Sequence, residues 1–258
     1  NLEVASIYSV ANHQHPFGQR PFRAPHHTAS AVALVGGGSQ PKPGEITLAH
    51  KGVLFLDEMG EFAPTVLDAL RQPLEEGVVS IARAHSSVTM PAKCLLIAAT
   101  NPCPCGAGTP TRCYCTVHAK QRYLRRFSGP LLDRFDVRIH LVKPTTVDLT
   151  SDSPGESSAV VAQRVAQVHR ISLERQGCLN SAISAEHLDD VAPLSRDAMV
   201  WLRRKLDDGH LSGRGYHRIR RVARTLADMH GEYELIDSGW VETAISMRVS
   251  VVTQTEFH

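Results

Sequence analysis

Nowhere in the 258 residues does an apolar run approach the ~20 residues that a bilayer-spanning helix needs, so that class is excluded. Charge of one sign is also missing. Lys and Arg number 28 against 26 Asp and Glu, a formal net charge of +2. Bulk charge therefore argues neither for nor against nucleic acid, and any basic surface must be local. There is no initiator Met and no basic-then-apolar leader at Asn1-Leu2-Glu3-Val4. The expectation is a soluble, cytoplasmic protein, and a start in mid-pattern reads as a piece of a longer chain. Cysteine is scarce, and four of the six lie in one short window, which points to a local site and away from a secreted disulfide framework. No internal repeat is visible. With 42% hydrophobic residues, the chain has enough apolar material for one large or two small domains.

The most informative segment is Gly52-Val53-Leu54-Phe55-Leu56-Asp57-Glu58. Four apolar residues in a row predict a central strand buried on both faces, as in a parallel α/β sheet. Folding alone does not call for two carboxylates at the exposed end of such a strand. Nucleotide hydrolysis does: Asp57 can hold Mg²⁺ through its water shell, and Glu58 can polarise the attacking water. This is the Walker B pattern of P-loop ATPases. The competing reading is a strand that ends in an acidic turn.

The rest of the chain divides by pattern. Leu2 to Val10 predicts a mostly buried helix. Gly36-Gly37-Gly38-Ser39 reads as a flexible loop, and Glu45 to Ala49 as a strand ahead of Gly52–Leu56. Pro64 to Leu74 has helical spacing. Val78–Ile81 and Ser87–Met90 predict a β-hairpin with a basic tip at Arg83-Ala84-His85. Cys94 to Thr100 predicts a second strand buried on both faces, ending at Asn101, followed by a cysteine-rich loop over 101–116. A basic helix is expected at about Val117–Phe127, and a third strand at Val137–Val142. The Ser, Asp, Pro and Gly content of 148–158 marks a domain boundary. Beyond it, helices are expected at Ala159–Glu174, Ala185–Val191, Arg196–Leu206, Tyr216–Met229 and Ser238–Val249. The expected fold is thus an α/β core over 1–147 and an all-helical domain over 148–258.

Several blocks then carry a resemblance. They are Arg20-Pro21-Phe22-Arg23-Ala24-Pro25-His26-His27-Thr28-Ala29-Ser30, Leu34-Val35-Gly36-Gly37-Gly38, and Pro43-Gly44-Glu45-Ile46-Thr47-Leu48-Ala49-His50. The Asp57-Glu58 strand follows, then Asn101-Pro102-Cys103-Pro104-Cys105-Gly106, Ser128-Gly129-Pro130-Leu131-Leu132-Asp133-Arg134, Tyr216-His217-Arg218-Ile219 and Val222-Ala223-Arg224. In this order the chain resembles the Mg-chelatase-like AAA+ ATPases of the ComM/YifB family over nearly its whole length. The resemblance implies a partial AAA+ core with a helical lid. It also implies ATP and Mg²⁺ as cofactors, a hexameric ring, and a motor acting on DNA in branch migration during natural transformation.

Carried over residue by residue, Asp57 and Glu58 match the Walker B carboxylates, and Asn101 matches sensor 1, where an amide can orient the water or touch the γ-phosphate. A strand-end Asn is otherwise a common turn residue. Arg134 matches the arginine finger, which acts on the neighbouring subunit's nucleotide. Its alternative is a local pair with Asp133 or Asp136. Arg214 matches sensor 2, with Arg218 one turn on as its competitor. Arg218, Arg220, Arg221 and Arg224 otherwise read as a solvated helix face, and the family tends to carry an apolar residue at position 220. Arg83, His85 and Lys93 on the hairpin, and Lys42 beside the Gly-rich loop, are candidate contacts to DNA phosphates. Cys103, Cys105, Cys113 and Cys115 suit a closed structural Zn²⁺ site, with His118 as a substitute ligand; the alternatives are reduced loop thiols or a redox-labile pair. His26-His27 reads as loop structure or a partner contact.

One family element is not in the sequence. No Gly-x-x-x-x-Gly-Lys-Ser/Thr occurs, so no Walker A loop is present to cradle phosphates. These residues alone are therefore expected to bind ATP poorly and not to turn it over. Two other functions compete with the DNA motor. One is the ATPase subunit of a magnesium or cobalt chelatase. The other is a non-catalytic DNA-binding or assembly module.

Overall fold

The computed structural model describes residues 1–38, 41–82, 87–107, 112–146, 150, 155–209 and 211–249. They form two compact units, 1–134 and 135–258. The first is α/β and the second is helical.

In the first unit a three-stranded parallel sheet runs in the order β1 (Phe22–Arg23), β4 (Val53–Leu56) and β7 (Leu95–Ala98). Val53 to Leu56 pair in register with Leu95 to Ala98. The sheet is buried on one face only. Leu54 and Leu56 are fully buried, whereas Leu95 is 60% and Ile97 43% exposed. That corrects the expectation of strands covered on both sides: an unbroken apolar run gives hydrophobicity but not the number of layers packed on it.

Leu34 on α2 (Ala31–Val35), Ile46 on α3 (Glu45–Leu48), Leu67 on α4 (Pro64–Ala69) and Phe62 between strand and helix are buried with Leu54 and Leu56; α2 packs on α3 and α4, and α3 on β1. Glu45 to Leu48 is a helix, where a strand was expected. Five residues hold too little periodicity to separate the two forms. Burial decides: Ile46, Thr47, Leu48, Ala49 and His50 are all inside, so the segment has no polar face to alternate. Tyr8 Oη on α1 (Leu2–Val10) donates to the Leu48 carbonyl at 3.0 Å, and Arg23 grips Glu45 with two hydrogen bonds of 2.6 and 2.8 Å. Gly36-Gly37, expected as loop, forms β2 and pairs antiparallel with β3 (Lys42–Pro43). The expected hairpin is present as β5 (Val78–Ala82) against β6 (Ser87–Pro91). Its tip, Arg83 to Ser86, lies outside the described residues.

Gly52 sets the spacing at the start of β4. A Cβ there would stand 2.0 Å from the Pro21 carbonyl oxygen, the same oxygen that accepts from Val53 N at 2.8 Å. Gly52→Ala is expected to push β1 off β4 and to destabilise the first unit by about 1–3 kcal/mol. Chemical denaturation followed by far-UV circular dichroism checks this; an unmoved midpoint would count against the close approach.

The second unit holds α8 (Ser158–Gln176), α9 (Leu188–Val191), α10 (Arg196–Asp207), α11 (Gly213–Met229) and α12 (Ser238–Val249). Ser157, Ser195 and Ser212 cap three of them, each accepting from the backbone N–H three residues on. Leu188, Ala198, Leu202, Ile219, Ala223, Val241 and Ala244 make its core.

Two expectations fail here. Val137 to Val142 is not a strand: Ile139, Leu141 and Val142 are 66–84% exposed, and among the described residues no strand lies alongside to pair with it. Alternation of apolar residues makes a strand only where a neighbour supplies the ladder. The basic run on α11 is not a solvated face either. Arg220 and Arg224 are 3% and 0% exposed. Arg220 donates to the Leu188 and Ala192 carbonyls at 2.9 and 2.8 Å and pairs with Asp189 at 2.6 Å, closing the end of α9. Among the described residues no helix is long and apolar enough to cross a membrane.

Candidate functional site

The parallel ladder between β4 and β7 continues past both strands through a single residue. Ala99 N donates to the Leu56 carbonyl at 2.9 Å, and Met59 N donates to the Ala99 carbonyl at 2.8 Å. Asp57 and Glu58 are thereby expelled from the ladder as a two-residue bulge, both exposed at the carboxyl edge. The bulge requires Glu58 to adopt the left-handed conformation, φ 49° and ψ 44°. For a non-glycine residue this costs roughly 1–3 kcal/mol, a kind of strain that clusters at functional sites. Asp57 Oδ1 accepts from Glu58 N at 2.9 Å and braces the turn. Hard oxygen donors exposed to solvent suit a Mg²⁺ ion that keeps much of its water.

Asn101 follows two residues after Ala99, so the register sets it at the same edge as Asp57 and Glu58. Its neighbour Thr100 is fixed: Thr100 Oγ1 and Tyr123 Oη are 2.9 Å apart. Tyr123 lies on α6 (Val117–Leu124), which Thr116 caps by accepting from Ala119 N. The Tyr123 ring also covers Gly60, where a Cβ would come 2.0 Å from its hydroxyl. Burial raises the Tyr123 phenol above its usual value. Arg126, in the turn after α6, donates to the Gly60 carbonyl. One helix thus clamps both rims of the site, behind Glu58 and beside Asn101.

Two contributors are not visible as such in the sequence. Tyr123 is one. The other is His27, whose Nδ1 lies 3.2 Å from Glu58 Oε2 and whose ring meets Phe62 edge-on. The only sequence signal for it was membership of the Arg20–Ser30 block, because 31 positions separate His27 from its partner.

Arg134, just past α7 (Gly129–Leu132), turns into its own unit. It donates to the Arg71 carbonyl at 2.7 Å, to the Pro130 carbonyl and to Glu75, where α5 (Arg71–Glu76) ends. Arg214 and Arg218 belong to the second unit. α11 begins at Gly213, earlier than expected, so Arg214 sits in its first turn, exposed, and is not in the loop. Arg218 pairs with Asp136 at 2.7 Å. In the first unit Lys42 and Lys93 are exposed, and the Lys93 stem lies against Gly77. Arg83 and His85 lie outside the described residues. The sulfurs of Cys103, Cys105, Cys113 and Cys115 all stand within 4.8 Å of one another, in the loop between Asn101 and α6.

A family model described as magnesium chelatase, subunit ChlI, matches residues 1–149, and one for the C-terminal part of the same subunit matches 155–248. Competence protein ComM of Haemophilus influenzae is 44% identical over 97% of this chain and 50% of its own length. YifB of Escherichia coli K12 is 42% identical over 96% of this chain and 49% of its own. The DNA replication licensing factor mcm7-A of Xenopus laevis is more distant, 29% identical over 50% of this chain and 16% of its own length. The chain spans about half the length of the curated ComM and YifB relatives it matches. It belongs to the Mg-chelatase-like AAA+ ATPase family, in the branch that holds ComM and YifB.

Proposed function

We propose that this chain is the motor portion of a ring-forming, ATP-dependent DNA helicase. It works in the cytoplasm, in branch migration of incoming DNA during natural transformation. The observation that carries the reading is the expulsion of Asp57 and Glu58 from the ladder at the edge where Asn101 also ends its strand. The names competence protein and replication licensing factor, borne by two relatives, support DNA as the partner.

In this reading Asp57 holds Mg²⁺ through water, and Mg²⁺ when bound neutralises charge on the phosphate oxygens. Glu58 takes the proton of the attacking water, and His27 limits the directions in which its carboxylate points. Asn101 donates its side-chain amide to the γ-phosphate or that water. Arg134 serves the nucleotide of the neighbouring subunit in a hexameric ring, which requires it to exchange Glu75 for phosphate. Arg214 reaches the nucleotide from the lid, and Arg218, already paired with Asp136, is the weaker candidate. Lys42, Lys93, Arg83 and His85 contact DNA phosphates in the pore without reading sequence. The domain division proposed is an α/β core over 1–147 and a lid over 148–258.

The test is ATP turnover by the complete protein with and without DNA. Stimulation by DNA that fades steeply as salt rises is the expected result. If DNA leaves turnover unchanged while porphyrin and a chelatase partner raise it, the chelatase reading replaces this one. No turnover under any condition would favour a non-catalytic module.

A further inference from the structure

We propose that Cys103, Cys105, Cys113 and Cys115 bind one Zn²⁺ as a closed tetrathiolate site that fixes the loop between Asn101 and α6. Four sulfurs meet in this one loop. Cys103 and Cys105 are 3.3 Å apart, Cys103 and Cys113 3.6 Å, and Cys105 and Cys113 3.7 Å. Zinc–thiolate bonds of about 2.3 Å in a tetrahedron place neighbouring sulfurs about 3.8 Å apart. These three spacings are at or below that edge, and every pair of the four lies within 4.8 Å. A disulfide needs its sulfurs at about 2 Å, and these three spacings are all well beyond that. An iron–sulfur cluster would set several irons and sulfides between the thiolates and needs a wider ring of ligands.

The backbone supports the same assignment. Gly106, at φ +66°, turns the chain left-handed directly after the first pair, and its N–H donates to the Cys103 carbonyl at 3.1 Å. The Ala107 N–H donates to the Cys105 sulfur, the kind of outer hydrogen bond that orients a thiolate ligand. Cys113-Tyr114-Cys115 needs only an extended stretch to send both sulfurs to one side, since alternate residues share a face. Cys103 is 4% exposed, so the site is part of the packed structure. With four protein ligands there is no open position, which makes the site structural and not catalytic.

The consequence for the neighbouring site follows from connectivity, and it alone rests on the function proposed above. The first ligand is two residues after Asn101, and the last is one residue before Thr116, the cap of α6. Tyr123 of α6 returns to Thr100. Zinc would close this path into a ring that holds Asn101 in place.

Elemental analysis of the chain purified without chelator tests the metal directly and does not depend on ATP turnover. About one zinc per chain is expected, lost in Cys103→Ser and in Cys113→Ser but kept in Cys178→Ser. Cobalt exchanged into the site should give the intense visible bands of a tetrahedral thiolate complex, a readout that needs no variant. Less than about 0.1 zinc per chain with four titratable thiols, or iron in its place, overturns the assignment. The positioning claim has its own readout: amide exchange over residues 99–107 and 112–124 should speed up about tenfold when zinc is stripped. Unchanged exchange overturns that claim and leaves the metal standing.

Discussion

Replacing Glu58 with Gln in the complete protein should leave ATP bound and cut turnover by about 10²–10⁴-fold, the range typical of a lost general base. The substitution keeps the length and shape of the side chain. It also keeps the backbone supports: the Asp57 Oδ1 bond to residue 58 N, and the pair of ladder bonds through Ala99. What disappears is the ability to accept a proton. A Gln side chain can still meet His27, so the orientation of the group should survive. Affinity for a non-hydrolysable ATP analogue and single-turnover rates separate the two effects. Binding unchanged with chemistry slowed assigns Glu58 to the chemical step; turnover within about twofold of the parent would move the base elsewhere. Asp57→Asn should behave differently, weakening Mg²⁺-dependent binding as well as rate, because Asp57 is expected to act on the ion and not on the water.

The two parallel strands β4 and β7 are legible as continuous apolar runs, although only one face of the sheet they form is covered, and Asp57-Glu58 stand out as carboxylates that folding does not need. The left-handed bulge that projects them was not legible, since it depends on Ala99 pairing with both Leu56 and Met59 from a strand about 40 positions away. The same holds for His27 and Tyr123, which reach the site from distant segments. The helix at Glu45–Leu48 is not legible, because a short segment with Ile46, Thr47 and Leu48 all buried has no periodicity to reveal. Val137–Val142 carried the opposite error, a good strand pattern without a partner among the described residues. The basic run on α11 misleads for an energetic reason: charged residues are almost never fully buried unless paired, and although Asp228 lies four positions after Arg224 on the same helix, Arg220 finds Asp189 on α9 and Asp228 is joined by Arg175 from α8.

That last point leads to the largest stability effect expected. The Asp228 carboxylate is fully buried and receives Arg175 through two hydrogen bonds of 2.6 and 2.8 Å, Asn180 at 2.7 Å and Arg224 at 3.1 Å. Burial alone would raise its pKa, yet the Arg175 and Asn180 hydrogen bonds and the two guanidinium charges hold it below the usual aspartate value. Asp228→Ala should therefore destabilise the helical unit by about 3–5 kcal/mol, because it strands the Arg224 guanidinium, 0% exposed, without its counter-ion. For a domain stable by about 5–15 kcal/mol, that is a large share of the total. Both tryptophans, Trp201 and Trp240, pack against the core of this unit, so fluorescence during urea unfolding reports it selectively. The pH dependence has a definite sign. A carboxyl with a lowered folded pKa stabilises above its unfolded value and loses that contribution as pH falls through the folded one. The parent should thus lose stability on acidification below about pH 4, and Asp228→Ala should lose less over the same window. Arg224→Met combined with Asp228→Ala decides whether the cost belongs to the stranded charge. If it does, the double variant recovers much of what the single one lost, since removing both members of a buried pair is far milder than removing one. If the two losses simply add, the network contributes through packing of α8 against α11, and the ion pair is incidental to it.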